Sequence, residues 1–206
     1  MADRKHGQQP PETSVTVRSQ DWNGVDLSGK RFSRTAFVDM DMTEATSRAV
    51  EFDECTFRGS RFNCSTFVDA AFVNCTFTRC NLFETTFTRC KLVGSMFDGC
   101  SFPLLRVTGG DWSFVGLPGA DLRGVTICGA RMREADLTGV RASGATLTEV
   151  DLSGAWLHRA DLSGCDLRGS DVSCLDPLTT DVKGAVISWE QATVIASTLG
   201  LDVRPD

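Results

Sequence analysis

The chain is predicted to be an all-β coil, and three features of the sequence predict it. The first is a beat of five. From Trp22 to Ile187, every residue whose number leaves remainder two on division by five is large and apolar, save Ser47, Ala142 and Pro177 among 34 positions. The second is size: the residue two before each centre is mostly small, as at Ala45, Cys55, Ser60, Ser65, Ala70, Cys75, Ala120, Ala135 and Ala160. The third is turn chemistry, since fifteen of the 19 glycines fall two residues after a centre.

Each feature needs a chain that bends once per repeat. A helix advancing five residues rotates 140° per step and scatters its apolar groups around the cylinder. A continuous strand fails because five is odd and successive centres point to opposite faces. A short extended segment followed by a corner keeps all centres inside. Within it, the period of two brings the residue two before the centre inward as well, where a narrow interior needs a small group. The second corner residue then takes a positive φ, which glycine adopts freely. Agreement of size, polarity and turn chemistry on one register is the mark of a single fold.

Repeats such as Ala120-Asp121-Leu122-Arg123-Gly124, Ala135-Asp136-Leu137-Thr138-Gly139 and Ala160-Asp161-Leu162-Ser163-Gly164 resemble those of the pentapeptide-repeat family. That resemblance implies a right-handed quadrilateral β-helix with four repeats per coil. About eight coils and a rod roughly 40 Å long follow, at the ordinary strand spacing of about 4.8 Å.

Three segments are expected. Residues 1–18, with Gln8, Gln9, Pro10 and Pro11, make a flexible tail; residues 19–187 make the coil; residues 188–206 close it. Ser188 and Gln191 form a capping box, and Ala192, Ile195, Ala196 and Leu199 form an apolar stripe ending at Gly200. A short helix over 188–199 therefore covers the last coil. The resemblance to the gyrase-interacting members of the family adds a second use for it, twofold dimerisation through Trp189, Ala192, Ile195, Ala196 and Leu199.

Composition narrows the function. Net charge is −6, with 21 Lys and Arg against 27 Asp and Glu, so direct nucleic-acid binding is disfavoured. No apolar run reaches about 18 residues, so no membrane span is expected, and residues 1–18 lack the apolar stretch of a secretory signal. The location expected is cytoplasmic. Six of nine cysteines (Cys55, Cys75, Cys80, Cys90, Cys100 and Cys165) sit at the small inward position and pack as compact groups, with no metal-ligand spacing. Neither a metal nor a cofactor is expected. With two His, no Tyr and no nucleophile–base spacing, the chain is not expected to be an enzyme.

The residue before each centre points outward and is often Asp. Asp161, Asp166, Asp171, Asp176 and Asp181 occupy five consecutive repeats and, with Asp151, form an acidic belt. A second acidic cluster is Asp39, Asp41, Glu44, Glu51, Asp53 and Glu54. Phe83, Phe114 and Trp156 are outward apolar candidates for partner contacts. The resemblance implies a DNA mimic that binds DNA gyrase, inhibits supercoiling and confers fluoroquinolone tolerance, with the belt as the contact surface. The alternative is a repeat scaffold for another protein partner, because a fold alone does not fix a function.

Overall fold

The computed structural model describes residues 9–204, so the first eight residues of the expected tail lie outside it. The chain is a parallel β-solenoid closed by one short helix, and every strand pair is offset by twenty residues, so four repeats make one turn. Three faces carry strands. One stacks Val15–Arg18, Thr35–Val38, Thr56–Arg58, Thr76–Thr78 and Met96–Asp98. The second stacks Thr46–Arg48, Thr66–Val68, Thr86–Thr88, Arg106–Thr108, Thr126–Cys128 and Thr146–Thr148. The third stacks Arg31–Ser33, Glu51–Asp53 and Ala71–Val73. The fourth is built from single bridges, including Asp21↔Asp41, Asp41↔Arg61, Arg141↔Asp161 and Asp161↔Asp181. One column of partners runs from Asp26 through Thr46 and Thr146 to Val186, eight steps along the axis.

The centres fill the interior. Phe37, Phe57, Phe77 and Phe97 stack in near-parallel planes with centroids 5.0, 4.8 and 4.5 Å apart, and neighbouring columns meet edge-on, as Phe52 does Phe57. These are the arrangements that ring quadrupoles favour. Beyond Trp112 the centres become mainly Leu, Ile and Met and remain buried as far as Val172.

The small inward position does more than save space. Its side chain reaches the carbonyl of the centre one coil below. Cys75 Sγ donates to Phe52 O, Thr85 Oγ1 to Phe62 O, Ser95 Oγ to Phe72 O and Ser170 Oγ to Leu147 O. Ser, Thr and Cys thus satisfy buried carbonyls that Ala could not, and this accounts for most of the inward cysteines. All nine cysteines are free thiols. Ser47, the polar centre, is buried, and its Oγ accepts the Val50 N–H.

Every one of the fifteen corner glycines has a positive φ. Seventeen other residues share that corner position and that φ, among them Asp39, Glu44, Asn74 and Arg89, and none is β-branched. A second branch on Cβ is least compatible with the left-handed region.

One boundary differs from expectation, and the corners near the other end are irregular. Val15–Arg18 pairs with Thr35–Val38, so the coil begins before residue 19 and the tail is shorter than predicted. Val17 itself continues the remainder-two series and packs against the core. Near the other end the corners at Cys174 and Thr179 lose the positive φ, and Thr179 and Thr180 both donate to Asp176 O. Pro177 has no N–H to give the ladder, and the turn pushes Leu178 out to 84% exposure.

Helix α1 spans Trp189–Thr198, with Ser188 as N-cap and both arms of the capping box formed. Gly200 lies beyond it at φ +80°. The residue that seats the helix is polar. Gln191 is buried, and its Nε2 donates to Leu167 O and Ser170 O at 2.6 and 2.7 Å. Ile195 packs partly against the core, whereas Trp189 is 83% exposed and Leu199 about half exposed, so these two do not cover the coil. Gln191→Ala removes the Nε2 donor from Ser170 O and one of two donors from Leu167 O, which keeps the Ser170 N–H. It is expected to cost about 2–3 kcal/mol in chemical denaturation, and a loss below about 0.5 kcal/mol would refute this seating of the cap.

Candidate functional site: the acidic end of the coil

The outward Asp position has a local task in addition to any partner it meets. In repeat after repeat its Oδ1 accepts the N–H two residues on, from Asp21 with Asn23 to Asp181 with Lys183. The belt follows the rule: Asp151 accepts from Ser153, Asp161 from Ser163, Asp166 from Arg168, Asp171 from Ser173 and Asp176 from Leu178. These are Asx turns that hold the corner. Sequence reasoning reached the outward direction of the carboxylate but missed the turn. The signal for it was present, since Asp stands at a fixed distance before a corner.

The fold also sorts the belt by charge. Asp151 is paired with Arg133 at 2.5 Å and Asp166 with Arg168 at 2.6 Å. Among the described residues Asp161, Asp171, Asp176 and Asp181 form no ion pair. Asp161 and Asp181 stand one above the other on the fourth face, Asp171 lies on the third and Asp176 on the first. Three of the four sides therefore present free carboxylate at the C-terminal end. The remaining side is neutralised by Arg168.

Elsewhere the axial spacing of twenty brings opposite charges together. Arg31 pairs with Glu51, Arg34 with Glu54, Arg61 with Asp41, Arg131 with Asp111, and Arg141 with Asp121. Half of the second acidic cluster is neutralised in this way, leaving Asp39, Glu44 and Asp53 without an ion pair. Asp21 and Asp26 are also without an ion pair at that end, but Asp in five consecutive repeats occurs only near the helix.

Hydrogen bonds lower the titration of three of these carboxylates. The Arg123 guanidinium, with its backbone N–H and the charge of Arg141, lowers Asp121 to about 2. The Ser163 hydroxyl lowers Asp161, and Arg168 lowers Asp166. A carboxylate with a depressed folded-state pKa contributes stability above its unfolded value that disappears as pH falls through the folded one. The melting temperature is therefore expected to hold down to about pH 4, the ordinary Asp range, and to fall progressively toward about pH 2. A melting temperature unchanged between these values would exclude these carboxylates as stabilising groups.

The apolar candidates are spread along the coil. Phe83 and Phe114 are half-buried at corners, and Trp156 is 37% exposed on the same face as Asp136 and Asp176. Exposed apolar groups concentrate at the end of the chain: Leu178, Val186, Trp189, Val194, Leu199, Leu201 and Val203. Of the predicted dimerisation residues, Trp189 and Leu199 belong to this set, while Ala192, Ile195 and Ala196 are half-buried. Among the described residues no group of His, Cys, Asp and Glu is arranged to hold a metal ion. No helix there is long and apolar enough to cross a membrane.

Residues 117–154 and 147–176 match the family described as Pentapeptide repeats, in eight copies. No curated protein matches the chain. Among solved structures it is similar to QnrB1, a plasmid-mediated fluoroquinolone resistance protein. One trypsin-treated variant of QnrB1 is 17% identical, over 94% of this chain and 100% of that one, with a TM-score of 0.44. A second trypsin-treated variant is 22% identical, over 94% and 98%, with a TM-score of 0.45. HetL, a pentapeptide repeat protein involved in heterocyst differentiation regulation from the cyanobacterium Nostoc sp. strain PCC 7120, is 19% identical over 85% and 84%, with a TM-score of 0.35.

Proposed function

We propose that this chain, whose residues 117–176 belong to the pentapeptide-repeat family, is a non-enzymatic protein that occupies the DNA-binding cavity of DNA gyrase in place of a duplex segment. The observation that carries the reading is the ring of unpaired carboxylates on a stiff column. Duplex DNA offers about one charge per 1.7 Å of axis, and a basic cavity built for it attracts any rigid rod with outward anions. Asp161, Asp171, Asp176 and Asp181 supply such anions, and their Asx turns hold them in place without neutralising them. The sequence itself resembles the mycobacterial fluoroquinolone-resistance protein MfpA in stretches such as Cys75-Thr76-Phe77-Thr78-Arg79 and Asp121-Leu122-Arg123-Gly124.

A twofold dimer through the C-terminal segment completes the reading. Leu178 and Trp189 are each more than four-fifths exposed, and exposed apolar groups that cluster at one end call for a partner. A symmetric dimer is the commonest solution. It places two acidic rings on either side of the junction, where the charge is densest.

The test is a supercoiling assay with purified gyrase, titrated with the protein in the presence and absence of a fluoroquinolone. Supercoiling is expected to fall with added protein, and drug-stabilised cleavage complexes are expected to become fewer. Gyrase that supercoils at its normal rate throughout the titration would leave the column as a scaffold for a different protein partner.

A further inference from the structure

The N-terminal segment does not hang free. From Ser14, whose N–H donates to Arg34 O, the chain turns along the axis rather than around it. Arg34 is paired first with Glu54, at 2.8 Å, and Glu12 adds to the negative field around it. Gln9 and Pro11 then line a small cavity of about 140 Å³ with Glu54, Asn74, Thr76, Gly94 and Met96. Residues 34, 54, 74 and 94 mark four successive coils on one corner, so about five residues cross several rungs of about 4.8 Å each. That reach suits an extended chain of about 3.1 Å per residue, the conformation that the Pro10-Pro11 pair favours.

The burial of Thr76 shows the result. It occupies an outward position, yet it is only 8% exposed, whereas its register partners Thr56 and Met96 on the same face are half-buried. No charged residue stands at this outward position from Ala36 through Thr56 and Thr76 to Met96 and Gly116. Pro11, the half-buried residue of an otherwise exposed segment, thus covers a corner groove whose outward rank is uncharged and whose rim carries Glu54.

We propose that residues 9–13 form a displaceable strap, and that the groove beneath them is a docking site for an extended, proline-containing segment of a partner chain. The occupant is chosen by what already sits there. A segment of the same chemistry from a partner competes with a strap whose tether gives it an effective concentration in the millimolar range. The groove is therefore closed to weak ligands until the strap is released. This inference is independent of what the acidic ring binds, since about three coils of twenty residues separate Gly94 from Asp161.

The experiment uses the full chain and a full-length variant with Pro10→Gly, Pro11→Gly and Glu12→Lys, which loosens the strap without touching the groove. A fluorescein-labelled peptide of residues 7–14 is titrated against both and followed by polarisation. Binding to the variant is expected to be at least tenfold tighter than to the parent. In parallel, oxidation of Met96 by dilute hydrogen peroxide, read by peptide mass spectrometry, is expected to be at least fivefold faster in the variant. Met132, buried in the core, serves as the unchanged internal reference. A peptide that binds neither protein, or binds both equally, overturns the docking site. An unchanged Met96 rate overturns the strap.

Discussion

Gly110→Ala is expected to lower the melting temperature by about 8–16 °C, the largest effect of any single methyl group added to this chain. A Cβ at Gly110 falls 2.2 Å from Cys90 O and 2.8 Å from Cys90 N, and both obstacles are backbone of the coil below. Neither can rotate aside. The residue also sits at φ +92°, where an L side chain is strained whatever the space. Together these place the substitution in the class that costs about 4 kcal/mol or more, and each kcal/mol is worth about 2–4 °C in a chain of this size. Gly139→Ala is the control: its φ is +65° but nothing lies within 4 Å of the added carbon. It is expected to lose only the left-handed penalty of about 1–2 kcal/mol. Equal shifts for the two variants, measured by calorimetry, would mean that backbone contact between coils does not limit this site.

The second large effect separates charge from structure in the acidic ring. Replacing Asp161, Asp171, Asp176 and Asp181 together by Asn is expected to weaken gyrase inhibition at least tenfold while moving the melting temperature little. Asn keeps the oxygen that accepts the N–H of Ser163, Ser173, Leu178 and Lys183, so the corners persist. What disappears is four negative charges, and with them the steering toward a basic cavity. Lysine at the same positions would remove the turn acceptors as well, so a loss of inhibition there could come from the corners alone. Asn at Asp151 and Asp166, which are already paired with Arg133 and Arg168, is the matched comparison and is expected to have a much smaller effect on inhibition. Full inhibition by the fourfold Asn variant would remove electrostatic mimicry as the mechanism.

Most of the architecture was legible in the chain because it is local. A large residue every fifth position, a small one two before it and a glycine two after it specify corner, strand and interior without reference to distant residues. The helix was legible for the same reason, with Ser188 and Gln191 three apart. Misjudged features involve partners far away in sequence. Val15–Arg18 became a strand because Thr35–Val38 lies beside it. Gln191 became the residue that seats the helix because Leu167 O and Ser170 O wait beneath it. Leu178 is pushed outward because Pro177 cannot donate to the ladder of the neighbouring coil.

The acidic candidates show the same division. That Asp161, Asp171, Asp176 and Asp181 point outward follows from a five-residue beat and the alternation of an extended chain. Which carboxylates keep their charge free follows only in part: Arg168 and Arg123 reach Asp166 and Asp121 from two residues away, but most pairings depend on what stands about one coil away. Arg131 meets Asp111 and Arg61 meets Asp41 only once twenty residues close a turn, and Arg133 reaches Asp151 across eighteen. The coil, its corners and the direction of each side chain are written in the order of the residues, since sterics and hydration set them within five positions. Most of the charge cancellation, and the segment that covers the N-terminal corner, are settled by contacts between coils that no local pattern encodes.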